Sequence, residues 1–152
     1  MKKAIVMDLH AGMSALELAE AFHASCGPRK PDPQHLEMVQ NTLFLAGQHL
    51  SDLGTAGEWH RFEASSFWGK VAFLSAHEKE GMLITLIGFF SWLALLDLIE
   101  LDVGLAILHD LEEVDFPSPV AAELCKKGRR ALVHIRNLQE DDVPSAELPG
   151  LN

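Results

Sequence analysis

A chain of 152 residues, 48% apolar and 22% charged, has the composition of one globular domain with its own core. That excludes a disordered tail, a fibrous repeat and a disulfide-built miniprotein. The 22 acids against 12 Lys plus Arg leave a formal charge of −10, which sets the molecule against bulk nucleic acid and anionic membranes.

The composition favours helix. Leu (24) and Ala (17) together outnumber the 17 Val, Ile and Thr, and Tyr is absent. The sequence therefore predicts an all-α fold: a single bundle of five or six helices over residues 1–142, followed by a flexible tail at 143–152. Cys26 and Cys125 form no CxxC pair and no disulfide framework, which fits a reducing, cytoplasmic setting. The basic start Met1-Lys2-Lys3 is followed too soon by Asp8 and His10 to be a signal peptide. Met1 to Leu9 has the pattern of a lone short strand, which a helical fold leaves without partners.

Ser14 and Glu17 form a capping box with Met13 and Leu18 as its staple, so a helix begins there and ends near Cys26 at Gly27-Pro28. Ala15, Leu18, Ala19 and Phe22 share its apolar face. After the proline-rich linker, Asp32-Pro33 supplies N-cap and N1 of a second helix. Its stripe is Leu36, Val39, Leu43, Ala46, Leu50 and Leu53, and Gly54 stops it. Thr55 and Glu58 read as a second capping box, placing a third helix from about Ala56.

Gly69 interrupts the next pattern. Two apolar runs, FWGKVAFL and MLITLIGFF, flank AHEKEG and fit helix–turn–helix, with a β-hairpin around 67–90 as the alternative. Met82 to Leu96 is 15 residues without a charge, short of the roughly 20 that a membrane span needs, and Asp97, Glu100 and Asp102 follow at once. This segment is expected to be a central element buried all round. Helix is expected from Ser91 to Val114, with Gly104 its weak point, and Phe116-Pro117 breaks the chain. Ser118 and Pro119 then cap a last helix to about Glu140, whose stripe is Ala121, Leu124, Gly128, Ala131, Ile135 and Leu138. The aromatic residues Trp59, Phe62, Phe67, Trp68, Phe73, Phe89, Phe90 and Trp92 are expected to form the core.

Charge is segregated along the chain. Seven acids (Asp97, Glu100, Asp102, Asp110, Glu112, Glu113, Asp115) stand in residues 97–115 with no Lys or Arg. Five bases (Lys126, Lys127, Arg129, Arg130, Arg136) stand in 126–136 with no acid, on the helix face opposite the apolar stripe. The two segments either complement each other as antiparallel neighbours or offer a basic strip to a phosphate or an acidic partner. Any contact with nucleic acid would run through the 126–136 face.

Chemistry-bearing motifs are sparse. Glu20 and His23 form one ExxH, whereas a di-iron bundle uses two such motifs, and no HxxxH or HExxH occurs. His23 and Cys26 lack two further zinc ligands, so neither metal nor cofactor is expected. Cys125 beside Lys126-Lys127 would have a lowered thiol pKa if exposed. GxSxG, GxGxxG and P-loop motifs are absent. Arg129-Arg130-Ala131-Leu132-Val133-His134 resembles the Arg-x4-6-His motif of HEPN-domain ribonucleases, small helical bundles that pair two copies of the motif across a dimer. The resemblance covers six residues and implies metal-free RNA cleavage, with Arg129 stabilising phosphate charge and His134 transferring protons. The polar residue that often follows the family Arg is Arg130 here, and the aromatic that often follows the His is missing.

The leading expectation is a non-enzymatic, acidic helical protein that binds another protein, as an inhibitor, immunity or regulatory protein does. It would bind through Asp97, Glu100, Asp102, Asp110, Glu112, Glu113, Asp115, Lys126, Lys127 and Arg130, to a partner that is basic, with a homodimer burying part of 82–108 as an addition. The ribonuclease using Arg129 and His134 is the alternative.

Overall fold

A computed structural model describes residues 15–25, 33–114, 116 and 118–147, with side chains at 17–24, 34–114, 116 and 118–139. Among the described residues six α-helices follow one another: α1 (Ala15–Ser25), α2 (Pro33–Asp52), α3 (Ala64–Lys70), α4 (Ala76–Leu95), α5 (Leu101–Glu112) and α6 (Pro119–Glu147). A 3-10 turn, Trp59–Arg61, precedes α3, and no strand occurs among the described residues. The fold is all-α, and the segment 67–90 is helix–turn–helix, which removes the hairpin alternative. Met13, Ser14, Cys26 and Asp32 lie outside the described residues, as does the strand pattern of Met1 to Leu9.

Local chemistry explains where the boundaries moved. Thr55 ends α2 instead of starting a helix: its N–H reaches Leu50 O at 2.8 Å while Gly54, at φ 78°, donates to Ser51 O at 3.0 Å. This is a Schellman closure in which Gly54 takes the left-handed position. Glu58 pairs with Arg61 at 2.8 Å and makes no capping bond, so α3 starts at Ala64 and not near Ala56. The capping box in this region is Ser75 with Glu78, each side chain bonded to the other's backbone N–H (3.2 and 3.1 Å).

The helix expected from Ser91 to Val114 is two helices. Asp97 adopts φ 64°, its N–H bonds Ala94 O at 3.1 Å, and Leu98 N–H bonds Leu93 O at 2.9 Å, a second Schellman closure with aspartate at the left-handed position. Gly104 lies inside α5 as a packing point. A Cβ there would stand 2.8 Å from the Ala94 Cβ and 3.2 Å from Leu132 Cδ1, so only glycine lets α5 approach α4 and α6 so closely. Ser118 caps α6 as the sequence predicts, accepting from Ala121 N–H at 3.1 Å and donating to Glu80 Oε2 at 2.7 Å. α6 continues past Glu140 to Glu147.

α4 is the centre of the bundle, with α2, α5 and α6 packed on it and α1 resting on α2. Phe89 of α4 anchors the aromatic core, its ring 5.0 Å from Trp59, 5.3 Å from Phe90 and 5.8 Å from Phe22 between centroids. Leu43, Leu50, Leu86, Leu93, Leu108 and Leu132 complete it with no exposed surface. Phe73 was expected in this cluster, but it sits in the turn after α3 and is 77% exposed. No helix among the described residues is long and apolar enough to cross a membrane.

Candidate functional site

The acidic and basic segments meet, in part. α5 and α6 run antiparallel, which brings Arg129 onto Glu112 and Arg136 onto Asp102, the latter at 2.8 Å. Lys126, Lys127 and Arg130 form no ion pair with a described residue. Glu100, Asp110 and Glu113 point outward, Asp110 with His109 Nδ1 at 3.9 Å, and Asp97 occupies the left-handed turn. Asp115 lies outside the described residues. Pairs as exposed as Arg136–Asp102 contribute about 0–1 kcal/mol, so they align the two helices more than they stabilise them.

Arg129 and His134 line one open concavity of 570 Å³ together with Leu105, Lys126, Arg130, Val133 and Asn137. Arg129 is 30% exposed, with its outer guanidinium nitrogen on Glu112 and its Nε buried without a partner. A phosphate taken by Arg129 would have to compete with that carboxylate. His134 is exposed.

A Ser–His contact was not legible in the sequence, because its members are 17 residues apart on α2 and α3. Buried His49 places Nε2 3.0 Å from Ser66 Oγ. Ser66 in turn donates toward Glu63 O and Oε1, both at 3.3 Å. In an acyl-transfer triad an acid orients the imidazole from Nδ1. Here Nδ1 is buried and unpartnered among Phe62 and Phe67. The network reads as Nε2–H to Ser66 to Glu63, a satisfied core histidine. Burial, then the Lys70 cation, holds its pKa below 6.5 and keeps it neutral.

Cys125 is fully buried, its Sγ–H directed at Leu108 O at 3.6 Å, and desolvation, then the Glu112 carboxylate, pushes the thiol up to about 11 against the opposing Arg129 cation. His23 of the ExxH turns its Nδ1 to the Nδ1 of His35 at 2.8 Å, linking α1 to α2. Among the described residues no three His, Cys, Asp or Glu side chains converge on one point.

The largest departure from the sequence reading concerns α4 and α6. Gly81, Ile84, Thr85, Gly88, Ser91 and Leu95 recur at helical spacing along one face of α4, and all but Thr85 keep some exposure. They floor an apolar groove of 570 Å³ with Phe22, His35 and Met38 on one wall and Leu124, Lys127, Gly128 and Ala131 on the other. The central helix is therefore not buried all round. The two hydroxyls in the floor leave it apolar, since Thr85 donates to Gly81 O and Ser91 to Ile87 O, each at 2.8 Å. α6 buries only part of the expected stripe: Ala121 enters the core as expected and Gly128 packs on Ser91 and Leu108, but Cys125 and Leu132 are the other core residues, while Leu124 and Ala131 turn to the groove. Val120 and Leu138, 55% and 51% exposed, extend that second stripe along α6. Comparison with protein-family models, curated proteins and solved structures finds no match to this chain.

Proposed function

We propose that this chain is a non-enzymatic helical protein that binds another protein, and that the groove over α4 receives an amphipathic helix of that partner. One observation carries the reading: α4 is packed by α2, α5 and α6, yet in its stripe from Gly81 to Leu95 all but Thr85 keep exposed surface and floor an open apolar groove. The floor repeats at the 3- and 4-residue spacing on which a second helix seats its ridges. The fifteen residues from Gly81 to Leu95 cover about 21 Å of helix axis, roughly four turns. Ala131 is a small residue exposed at the groove wall, where a partner helix can come close.

The test is site-specific photo-crosslinking in native lysate from Leu95 and Leu124, with exposed Glu113 as control. Support is one defined adduct from both groove positions, absent from Glu113, abolished by Ala131→Glu and mapping to an amphipathic helix of the partner. Adducts within the chain itself, or equal labelling from Glu113, overturn the reading. A dimer appears in the same experiment as an adduct between two copies.

The second reading, metal-free RNA cleavage, is favoured by the single concavity that Arg129 and His134 share. Incubation with RNA decides it: cleavage lost in both Arg129→Ala and His134→Ala supports it, and an inert native chain removes it.

A further inference from the structure

Resting on the groove reading, we infer that the docked helix is acidic along the flank facing α6. Among the described residues no Asp or Glu lines the groove, where the ionisable groups are Lys127 and His35. Of the α6 cations only Lys127 lines the groove. On a helical wheel Arg130 and His134 follow it by one and two turns, with Glu123 one turn before, on the ridge that leads to the other concavity, which Arg130 and His134 line.

Neither Lys127 nor Arg130 is engaged by a described acid, in contrast to Arg129 and Arg136, which α5 neutralises. On the other wall the pair of His35 with His23 brings no carboxylate. Near one groove end the Glu80 carboxylate accepts from Ser118. A partner helix with an apolar stripe and Glu or Asp on the α6 side would bury its stripe on the floor and set its acids against Lys127. A helix with lysines there would meet like charge at the rim, although the molecule as a whole attracts cations. The rim therefore opposes the global field, and the two can be told apart.

The probes are two labelled synthetic amphipathic peptides of about four turns with one identical Leu/Ala face, flanked by Glu in one and by Lys in the other. Binding to the full chain is read by fluorescence anisotropy near 0.1 M salt, where the Debye length of about 10 Å mutes the overall field more than contacts at the rim. The expected result is about tenfold tighter binding of the Glu-flanked peptide. Lys127→Glu should erase that preference, whereas Lys79→Glu, which changes net charge equally and lines neither concavity, should leave it in place. Equal binding of the two peptides, preference for the Lys-flanked one, or equal effects of the two variants overturns the inference and leaves the groove reading standing. If neither peptide binds a chain whose melting curve is native, the groove reading falls and this inference with it.

Discussion

The two flanks of α4 are built from the same kinds of residue and meet different neighbours. Toward α5 and α6 the helices close on glycine: Cβ atoms at Gly104 and Gly128 would meet Ala94 Cβ and Ser91 Oγ, each at 2.8 Å, with Leu132 and Leu108 behind them. Toward α1 and α2, Cβ atoms at Gly81 and Gly88 would meet only the ends of flexible side chains, Met38 Cε at 2.7 Å and Phe22 Cζ at 3.1 Å. On the first flank short side chains stand against the glycines, and on the second the tips of the long side chains Met38 and Phe22 do. A glycine in an apolar helix thus marks close approach in both places, and only the neighbour tells what makes it.

The strongest way to break this comparison is to truncate both stripes of α6. Leu132→Ala on the core side should cost about 2–5 kcal/mol, whereas Leu138→Ala, half exposed, should stay within about 0.5 kcal/mol. Denaturant midpoints read both, and similar losses would mean that the core stripe is misassigned.

The pH limits of the sealed core come next. The Cys125 thiol is pushed up to about 11 from 9.0 by burial, so its contribution is full below pH 9 and lost as pH rises toward 11. His49 is held below 6.5, so its contribution is present above pH 6.5 and lost as pH falls through the lowered value. Stability measured across pH should fall off at both ends. Cys125→Ser should flatten the alkaline side, and alkylation of native Cys125 should proceed only as fast as the protein opens.

The glycines sharpen the contrast further. Gly104→Ala is expected to cost about 1–3 kcal/mol through overpacking. Gly88→Ala should lie within about 1 kcal/mol of native, since Phe22 can yield while helix propensity improves. Equal losses in thermal melts would show that both flanks are rigid.

The smallest effect belongs to the charged seam. Arg136→Ala should cost at most about 1 kcal/mol, less at high salt, because the Arg136–Asp102 pair is exposed. A loss that salt leaves unchanged would assign Arg136 a packing role through its stem.

Much of the fold was legible because its signals are local. The stripe Val39, Leu43, Ala46 and Leu50 is buried as its spacing predicts, and Ser118-Pro119 caps α6 by side-chain geometry that needs no distant partner. Errors arose where one local signal had two uses. Thr55 and Glu58 match a capping box, but Thr55 closes the helix before it. Asp97, an uncommon residue for the left-handed position, splits a helix that hydropathy alone runs on to Val114. Of the candidate site, the charged residues of α6 were legible by periodicity, while their division into paired Arg129 and Arg136 and unengaged Lys127 and Arg130 required α5 in place.

The −10 charge, the all-helical fold and the split into acidic and basic segments follow from the sequence by itself, since composition, caps and periodicity act within a few residues along the chain. Which apolar stripe of α6 enters the core, and that α4 keeps a stripe as the floor of a groove, was decided only by tertiary structure. A helix with two apolar faces records no preference between them, and burial is settled by which neighbours come within contact distance.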